Sequence, residues 1–187
     1  MKKEELLARE TLLTDRFFDQ LKRGGYSIAR TSKEEGLGYD IISVEFDQLG
    51  IASDDVLAHV FFLPSPQDDM PINNFRVNIT VADELENNEL RPVMLQAISY
   101  VNFLIPIGAF VYDPSVNVLT YRRNCAIPVT LSEDESLMMM GWELFNGLSV
   151  VEPFLAPLLT LMSGEIAPNQ FMEAVAVVMK LHAAQES

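Results

Sequence analysis

Residues 88–128 have the sequence NELRPVMLQAISYVNFLIPIGAFVYDPSVNVLTYRRNCAIP, in which an apolar helix leads directly into a two-stranded hairpin. Five apolar residues recur at steps of three and four and therefore share one helical face: Leu90, Met94, Ala97, Val101 and Leu104. Pro92 suits the first turn, where its missing N–H loses no hydrogen bond. The pattern predicts a helix over residues 90–105, which Pro106 and Gly108 bring to an end.

The hairpin follows at once. Residues 109–112 and 118–127 flank a loop of turn-forming residues, Asp113-Pro114-Ser115-Val116-Asn117. A five-residue connection of this kind joins two antiparallel strands.

The chain before this unit is predicted to contain a helix and about three strands. Residues 3–23 place Leu6, Leu13, Phe17 and Leu21 on one helical face, and Gly24-Gly25 supplies a stop. A first strand follows either at 26–30 or only at 39–46, with a polar, glycine-bearing loop at 31–38.

Two more strands are predicted upstream of the long helix. Over residues 56–63, apolar residues occupy both the odd and the even positions, which indicates a strand covered on both faces. From Phe75 to Val81, apolar and polar residues alternate, which indicates one buried and one wet face. Loops are predicted at 50–54 and 64–71, and Asn87 or Asn88 is the expected N-cap of the long helix.

The chain after the hairpin is predicted to be helical. Ser132-Glu133-Asp134-Glu135 forms a capping box, and the stripe that follows contains Leu137, Gly141, Leu144, Leu148 and Val151. Pro153 is expected to kink or break this helix, and Pro168 opens a last one with the stripe Phe171, Val175, Val178 and His182. Together these elements predict a single α+β domain over residues 1–187, an antiparallel sheet of about five strands packed against helices.

Composition narrows the class of protein. The formal net charge of −14 argues against nucleic acid and anionic membrane surfaces as partners, and suits a cytoplasmic protein. The single cysteine, Cys125, excludes an internal disulfide and is expected to be a buried, inert thiol. Residues 144–162 are the one transmembrane candidate, but Glu152 lies near their centre, so a buried, broken helix and a soluble protein are expected.

From about residue 75 to 170 the chain resembles the YbjN family of sensory-transduction regulators, whose fold is similar to that of type III secretion chaperones. The resemblance is carried by Phe75-Arg76-Val77-Asn78-Ile79, Ile107-Gly108-Ala109-Phe110, Val118-Leu119-Thr120-Tyr121-Arg122-Arg123, Ala126-Ile127-Pro128 and Leu161-Met162-Ser163-Gly164-Glu165. It implies the order α-β-β-β-α-β-β-α with extra C-terminal helices. It also implies a bacterial binding protein that carries out no chemistry, since type III chaperones dimerise and hold extended client segments.

No catalytic or metal motif is present in the sequence. His59 and His182 have no Cys, Glu or second His at ligand spacing, and the acidic pairs and clusters match no calcium loop. We therefore expect no catalytic residue, no metal and no cofactor.

Two clusters remain as candidate sites. Arg122 and Arg123 could contact an anion or ligand, although pairing with the chain's own carboxylates is the simpler interpretation. Met138, Met139 and Trp142 could contact a partner: Met140 joins the buried stripe and Met138 does so in part, which leaves Met139 and Trp142 as exposed apolar surface.

The sequence thus favours a non-enzymatic, chaperone-like or regulatory protein that binds a protein or peptide client as a homodimer. The alternative is a sensory module with an apolar ligand pocket between sheet and helices. An enzyme with a dispersed carboxylate site is disfavoured, because no nucleophile is paired with a base.

Overall fold

The fold is given by a computed structural model that describes residues 2–32, 38–49, 54–64, 72–82 and 90–185. Within these residues the helices are α1 Lys3–Arg23, α2 Arg91–Leu104, α3 Glu133–Met162 and α4 Pro168–Gln185. The strands are β1 Ser27–Thr31, β2 Ile41–Leu49, β3 Asp54–Leu63, β4 Ile72–Ala82, β5 Ala109–Asp113 and β6 Val118–Pro128.

The chain is an α+β protein with a six-stranded antiparallel sheet in the order β1-β2-β3-β4-β6-β5. The sequence analysis expected about five strands, about three of them before the long helix; the described residues form six strands, four of which precede α2. Both candidates for the first strand form, and they pair with each other from Ser27 opposite Glu45 to Thr31 opposite Ile41. β1 has only five residues and pairs along its whole length with β2, which lies between β1 and β3 in the sheet.

The chain divides into two compact units, each built from several segments. The first unit comprises residues 1–46, 57–78 and 123–146. Its core centres on Phe75, whose ring lies 6.2 Å from that of Phe17 on α1 and 5.5 Å from that of Phe62 on β3. The predicted alternation along β4 is confirmed, because Phe75, Val77 and every second residue onward are buried. The side chains on the polar face of β4 are half-buried, whereas the sequence predicted that this face is exposed to solvent.

The second unit comprises residues 47–56, 79–122 and 147–187. Here α2 buries Met94, Ala97 and Val101, as the spacing predicted. Phe110 on β5 packs against Tyr121, with 5.4 Å between ring centroids, and against Phe154, with 5.9 Å.

Gly108 joins α2 to the hairpin in a conformation that needs glycine. Its φ is +71°, and a Cβ at this position would collide with the ring of Tyr121. The Tyr121 hydroxyl donates to the Ile107 carbonyl at 3.0 Å, which fixes the ring across the glycine.

Helix α3 is continuous for 30 residues and contains both Pro153 and Pro157. The break expected as one outcome at Pro153 was therefore wrong, and the kink expected as the other stays a prediction. Both prolines are buried, as are Val151, Phe154 and Leu158 around them. Burial of this apolar segment outweighs the hydrogen bond that each proline forfeits. By length and composition, α3 is the one helix among the described residues that could cross a membrane, and 56% of that apolar window is buried inside the protein.

Several predictions fall on residues outside the described ranges: the N-cap at Asn87 or Asn88, most of the loop at 31–38, and the loops at 50–54 and 64–71. The side chain of His182 also lies outside them. The capping box is confirmed, since the Ser132 N–H donates to Glu135 Oε2 at 2.8 Å and the Glu135 N–H donates back to Ser132 Oγ at 3.3 Å.

Candidate functional site

The outer side of α3 carries a row of large apolar side chains in the first unit. Met138, Trp142 and Phe145 recur at i, i+4 and i+7, and their exposed fractions are 70%, 64% and 40%. Leu137 and Leu144, on the other side of the helix, are buried. Contiguous exposed apolar surface of this kind is typical of a contact site.

Two aromatic rings from other elements extend the row at Phe145. The rings of Tyr26 and Phe46 lie 5.7 Å and 6.2 Å from that of Phe145, and 5.7 Å from each other. Phe46 belongs to β2, and Tyr26 directly precedes β1, whose first residue is opposite Glu45. We call the set Tyr26, Phe46, Met138, Trp142 and Phe145 the aromatic patch.

The Gly24-Gly25 pair positions Tyr26. Gly25 adopts a φ of +84°, and the Tyr26 N–H then donates to the Leu21 carbonyl at 3.3 Å. A Cβ on Gly24 would lie 3.0 Å from the Tyr26 ring. The same pair that ends α1 therefore lets the ring fold back over the helix end.

The structure reverses the roles predicted for two methionines. Met138 is the most exposed member of the row, whereas Met139 is half-buried. The helix is rotated so that Glu143, one turn after Met139, is buried with 3% of its surface exposed. The sequence analysis expected Met139 to be exposed together with Trp142, whereas the structure covers the face of α3 that carries Met139 and Glu143.

Glu143 is buried because it forms an ion pair with Arg123 on β6. The side chain of Arg123 is only 12% exposed. Burying a charge is costly unless it is paired with an opposite charge, and within the first unit each of these two groups supplies the opposite charge of the other. One of the two predicted anion contacts is therefore already engaged by a carboxylate of the chain.

Cys125 lies next to the ion pair of Arg123 and Glu143. Burial and, to a smaller extent, the neighbouring Glu143 carboxylate, which accepts a hydrogen bond from the thiol, together raise the pKa of the thiol to about 11. The thiol therefore remains protonated near neutral pH, which makes it a poor nucleophile.

The Arg122 side chain does not form a common anion site with that of Arg123. Consecutive strand residues point to opposite faces, so the two guanidinium groups form no common fork. In the second unit, Arg122 is half-buried and its charge contributes to lowering the pKa of Asp113, although the hydrogen bonds from Ser115 are the larger cause.

Polar contacts fix α1 against the start of α3. Arg16 reaches Glu133 and Asp134, with 2.5 Å and 2.8 Å between the paired atoms. Arg9 donates to both the Leu131 carbonyl and Ser136 Oγ at 2.8 Å. The helix that presents the aromatic patch is thereby held in one orientation.

A serine and a histidine meet in the first unit. His59 Nδ1 lies 2.9 Å from Ser43 Oγ, and burial lowers the pKa of the imidazole. A nucleophilic site also needs a group that orients the second ring nitrogen. Among the described residues, Ser43 is the one hydrogen-bond partner of this ring, so the pair lacks that third member.

The carboxyl group of Glu10 on α1 contacts the side-chain amide of Asn73 on β4. Asn73 is fully buried on β4, and its Nδ2 donates to Glu10 Oε1 at 3.1 Å. Burial raises the pKa of Glu10, which opposes the smaller effect of this hydrogen bond. Within the described residues, no group of three or more His, Cys, Asp or Glu side chains is arranged to hold a metal ion.

Grooves lie between the helices in the described part of the second unit. One has a volume of about 220 Å³ and is lined by Val93, Ala97, Tyr100, Leu161, Phe171 and Met172, among others. Another has a volume of about 280 Å³ and is lined by Leu104, Ile105, Pro106, Pro153, Phe154 and Met179, among others. Neither groove involves Arg122.

The structure is that of an α+β protein whose helix α3 carries exposed apolar side chains. Comparison with known proteins found no matching family model, no matching curated protein and no matching solved structure.

Proposed function

We propose that this chain is a non-enzymatic protein-binding protein, chaperone-like or regulatory, that holds a partner polypeptide on the aromatic patch. The single observation that carries the proposal is the exposure of Trp142 beside Met138 and Phe145 on a helix fixed by ion pairs. Tryptophan and tyrosine dominate the binding energy of protein interfaces, because they bury a large area at little cost in conformational entropy.

Preorganisation supports the proposal. The ring contacts of Phe145 with Tyr26 and Phe46 hold the Phe145 end of the patch in place before a partner binds. A surface that is already ordered loses less entropy on binding, so more of the contact energy appears as affinity.

The charge of the chain fits the same role. A net charge of −14 keeps a protein with exposed aromatic surface from associating with nucleic acid or anionic membranes. The proposal includes the resemblance to the YbjN family, a fold like that of type III secretion chaperones, a cytoplasmic location and a dimeric state.

Strand addition at β5 is disfavoured as a mode of binding. The Asn102 side chain donates to the Phe110 carbonyl at 2.9 Å and accepts from the Phe110 N–H at 2.7 Å. Those two backbone groups are the ones an added strand would need. Side-chain contact through the aromatic patch is therefore the mode we favour.

Photo-crosslinking tests the proposal directly. A benzophenone amino acid at position 142, in the full chain expressed in bacterial cells, should give discrete adducts with a polypeptide. The same substitution at Phe103, which is 84% exposed on α2, is the matched control and should give none. No adduct from position 142, or equal adducts from both positions, would refute the proposal.

A small-ligand sensory module is the second candidate, and the groove of about 220 Å³ between α2 and α4 is the observation that favours it. Ligand pockets usually measure about 300–1,000 Å³, so the groove is small for this role. A metabolite that raises the melting temperature would support the ligand module, whereas stabilisation by polypeptides alone would support the first proposal.

A further inference from the structure

We propose that a small cavity beside α1 binds a primary ammonium group carried on a short aliphatic stem. The cavity belongs to the first unit and has a volume of about 100 Å³. It shares no lining residue with the aromatic patch, so the proposal goes beyond the function proposed above. Residues of α1, of the segment before β2 and of the end of β3 line it, among them Glu10, Thr11, Thr14, Tyr39, Asp40 and Phe62.

The two threonine hydroxyls that line the cavity use their hydrogens within α1. Thr11 Oγ1 donates to the Leu7 carbonyl at 3.0 Å, and Thr14 Oγ1 donates to the Glu10 carbonyl at 2.8 Å. A threonine hydroxyl has one hydrogen and two lone pairs, so each of these groups keeps only the capacity to accept. A ligand in the cavity therefore meets acceptors on this wall.

Glu10 brings a carboxylate to the cavity without a cation to balance it. Within the described ranges its side chain forms no ion pair, and its hydrogen-bond partner is Asn73 Nδ2, at 3.1 Å. Burial raises the pKa of Glu10. This direction is expected of a carboxyl group that is taken out of water with no opposite charge beside it.

The amide of Asn73 adds a second acceptor next to this carboxylate. Asn73 is fully buried, and in the part of the chain that the structure describes its Oδ1 has no hydrogen-bond partner. Because Nδ2 of the same planar amide is bound to Glu10, Oδ1 lies close to the Glu10 carboxylate. Leaving a buried acceptor without a donor is costly, and a ligand N–H beside Glu10 would remove that cost.

The remaining charges around the cavity leave an excess of negative charge. Asp40, whose side chain is 17% exposed, accepts from Arg30 Nη2 at 2.9 Å. Arg30 also pairs with Asp15, at 2.5 Å, so one guanidinium group serves two carboxylates. With Glu10, three carboxylates face one cation among the described residues of this region.

These features favour a ligand that has several donors, a positive charge and no acceptor. A primary ammonium group carries three N–H donors and no acceptor, whereas a carboxylate or a phosphate brings mainly acceptors. The apolar walls formed by Tyr39, Phe62 and Leu7 suit an aliphatic stem, and an aromatic face attracts a cation. The volume accommodates the ammonium group and a few methylenes and excludes a larger molecule.

Nuclear magnetic resonance titration of the full chain with n-butylammonium chloride at pH 7 tests the proposal. The backbone amide signals of Thr11, Thr14 and Tyr39 should shift and saturate, with a dissociation constant in the millimolar range. Tetramethylammonium has the charge but no N–H donor, and n-butanol has the stem but no charge, so neither should give saturable shifts. No saturable shift with n-butylammonium, or equal shifts with tetramethylammonium or sodium chloride, overturns the proposal.

Glu10→Gln locates the site. The variant keeps the size of the side chain and removes a charge whose burial is costly, so we expect it to remain folded. It should raise the dissociation constant for n-butylammonium at least tenfold. Glu173→Gln makes the same change at an exposed position of α4 and should leave the constant unchanged. Unchanged affinity in Glu10→Gln, or an equal loss in Glu173→Gln, overturns the proposal.

A lysine side chain and a free alkylamine share this chemistry, and a second probe distinguishes them. Nα-acetyl-lysine methylamide carries the ammonium group on a stem attached to a peptide unit. If it binds at least as tightly as n-butylammonium, the site accepts the lysine side chain of a polypeptide. If n-butylammonium alone binds, the ligand is a free small amine. If neither binds, the proposal fails, whatever position 142 crosslinks to.

Discussion

Asn102 on α2 hydrogen-bonds to the backbone of Phe110 on β5 through both ends of its amide. Nδ2 donates to the Phe110 carbonyl at 2.9 Å, and the Phe110 N–H donates to Oδ1 at 2.7 Å. One side chain thus takes the place of a neighbouring strand at the edge of the sheet. It satisfies two backbone groups that an edge strand would otherwise leave unpaired.

Asn102→Ala should lower the free energy of unfolding by about 1–3 kcal/mol, because it leaves both Phe110 backbone groups without their partner. Urea denaturation monitored by circular dichroism measures this change. Ser99→Ala, at an exposed position one turn earlier on α2, controls for the change in helix propensity. Equal stability of the two variants would contradict the role given to Asn102.

The ion pair between Arg123 and Glu143 should show strong coupling in a double-mutant cycle. Glu143→Leu alone leaves a buried guanidinium without its carboxylate and should cost about 3–5 kcal/mol. Arg123→Met with Glu143→Leu should be within about 1 kcal/mol of the wild type, or more stable. Additive losses in urea denaturation would show that the pair is not coupled.

The thiol of Cys125 should react slowly with iodoacetamide in the folded protein at pH 8, because its pKa is raised to about 11. Glu143→Gln removes a negative neighbour and should speed alkylation. Arg123→Gln removes the positive charge that lowers the thiol pKa and should slow it. Alkylation is measured by intact mass on variants whose circular dichroism matches that of the wild type. Rates that change in the opposite directions would contradict the effects assigned to Glu143 and Arg123 on the thiol pKa.

Glu10 should make stability depend on pH. Its folded pKa is raised by burial, so the stability it contributes is present below its unfolded pKa and is lost as the pH rises through the folded value. Glu10→Gln should therefore gain stability over the wild type between pH 4 and pH 7. Glu173→Gln, at an exposed helical position, should show no such trend in melting temperature.

Much of the fold could be predicted from local pattern. The periodicity of Leu13 and Phe17 defined α1, the alternation around Phe75 defined β4, and the glycine and proline positions defined the hairpin. Such signals lie within a few residues of one another. The number of strands could not be predicted in the same way, because β1 has only five, mostly exposed residues and its pairing with β2 is a contact between segments far apart in the sequence.

The site was predicted only in part. Trp142 was identified from its position on the helix, but the exposure of Met138 and the burial of Glu143 depend on Arg123, which lies on a strand 20 residues earlier. Tyr26 and Phe46 join the patch through tertiary contacts with Phe145 that no local spacing reveals. Long-range ion pairing decided which face of α3 turned outward.

Quenching of Trp142 fluorescence by acrylamide tests the central claim most directly. Trp142 is the only tryptophan in the chain, so all tryptophan emission comes from the aromatic patch. The quenching constant of the purified chain should be close to that of a tryptophan open to solvent, because Trp142 is 64% exposed, and it should fall at least twofold when a partner polypeptide covers the patch. A quenching constant typical of a buried tryptophan, or one that a crosslinked partner polypeptide leaves unchanged, would contradict the claim.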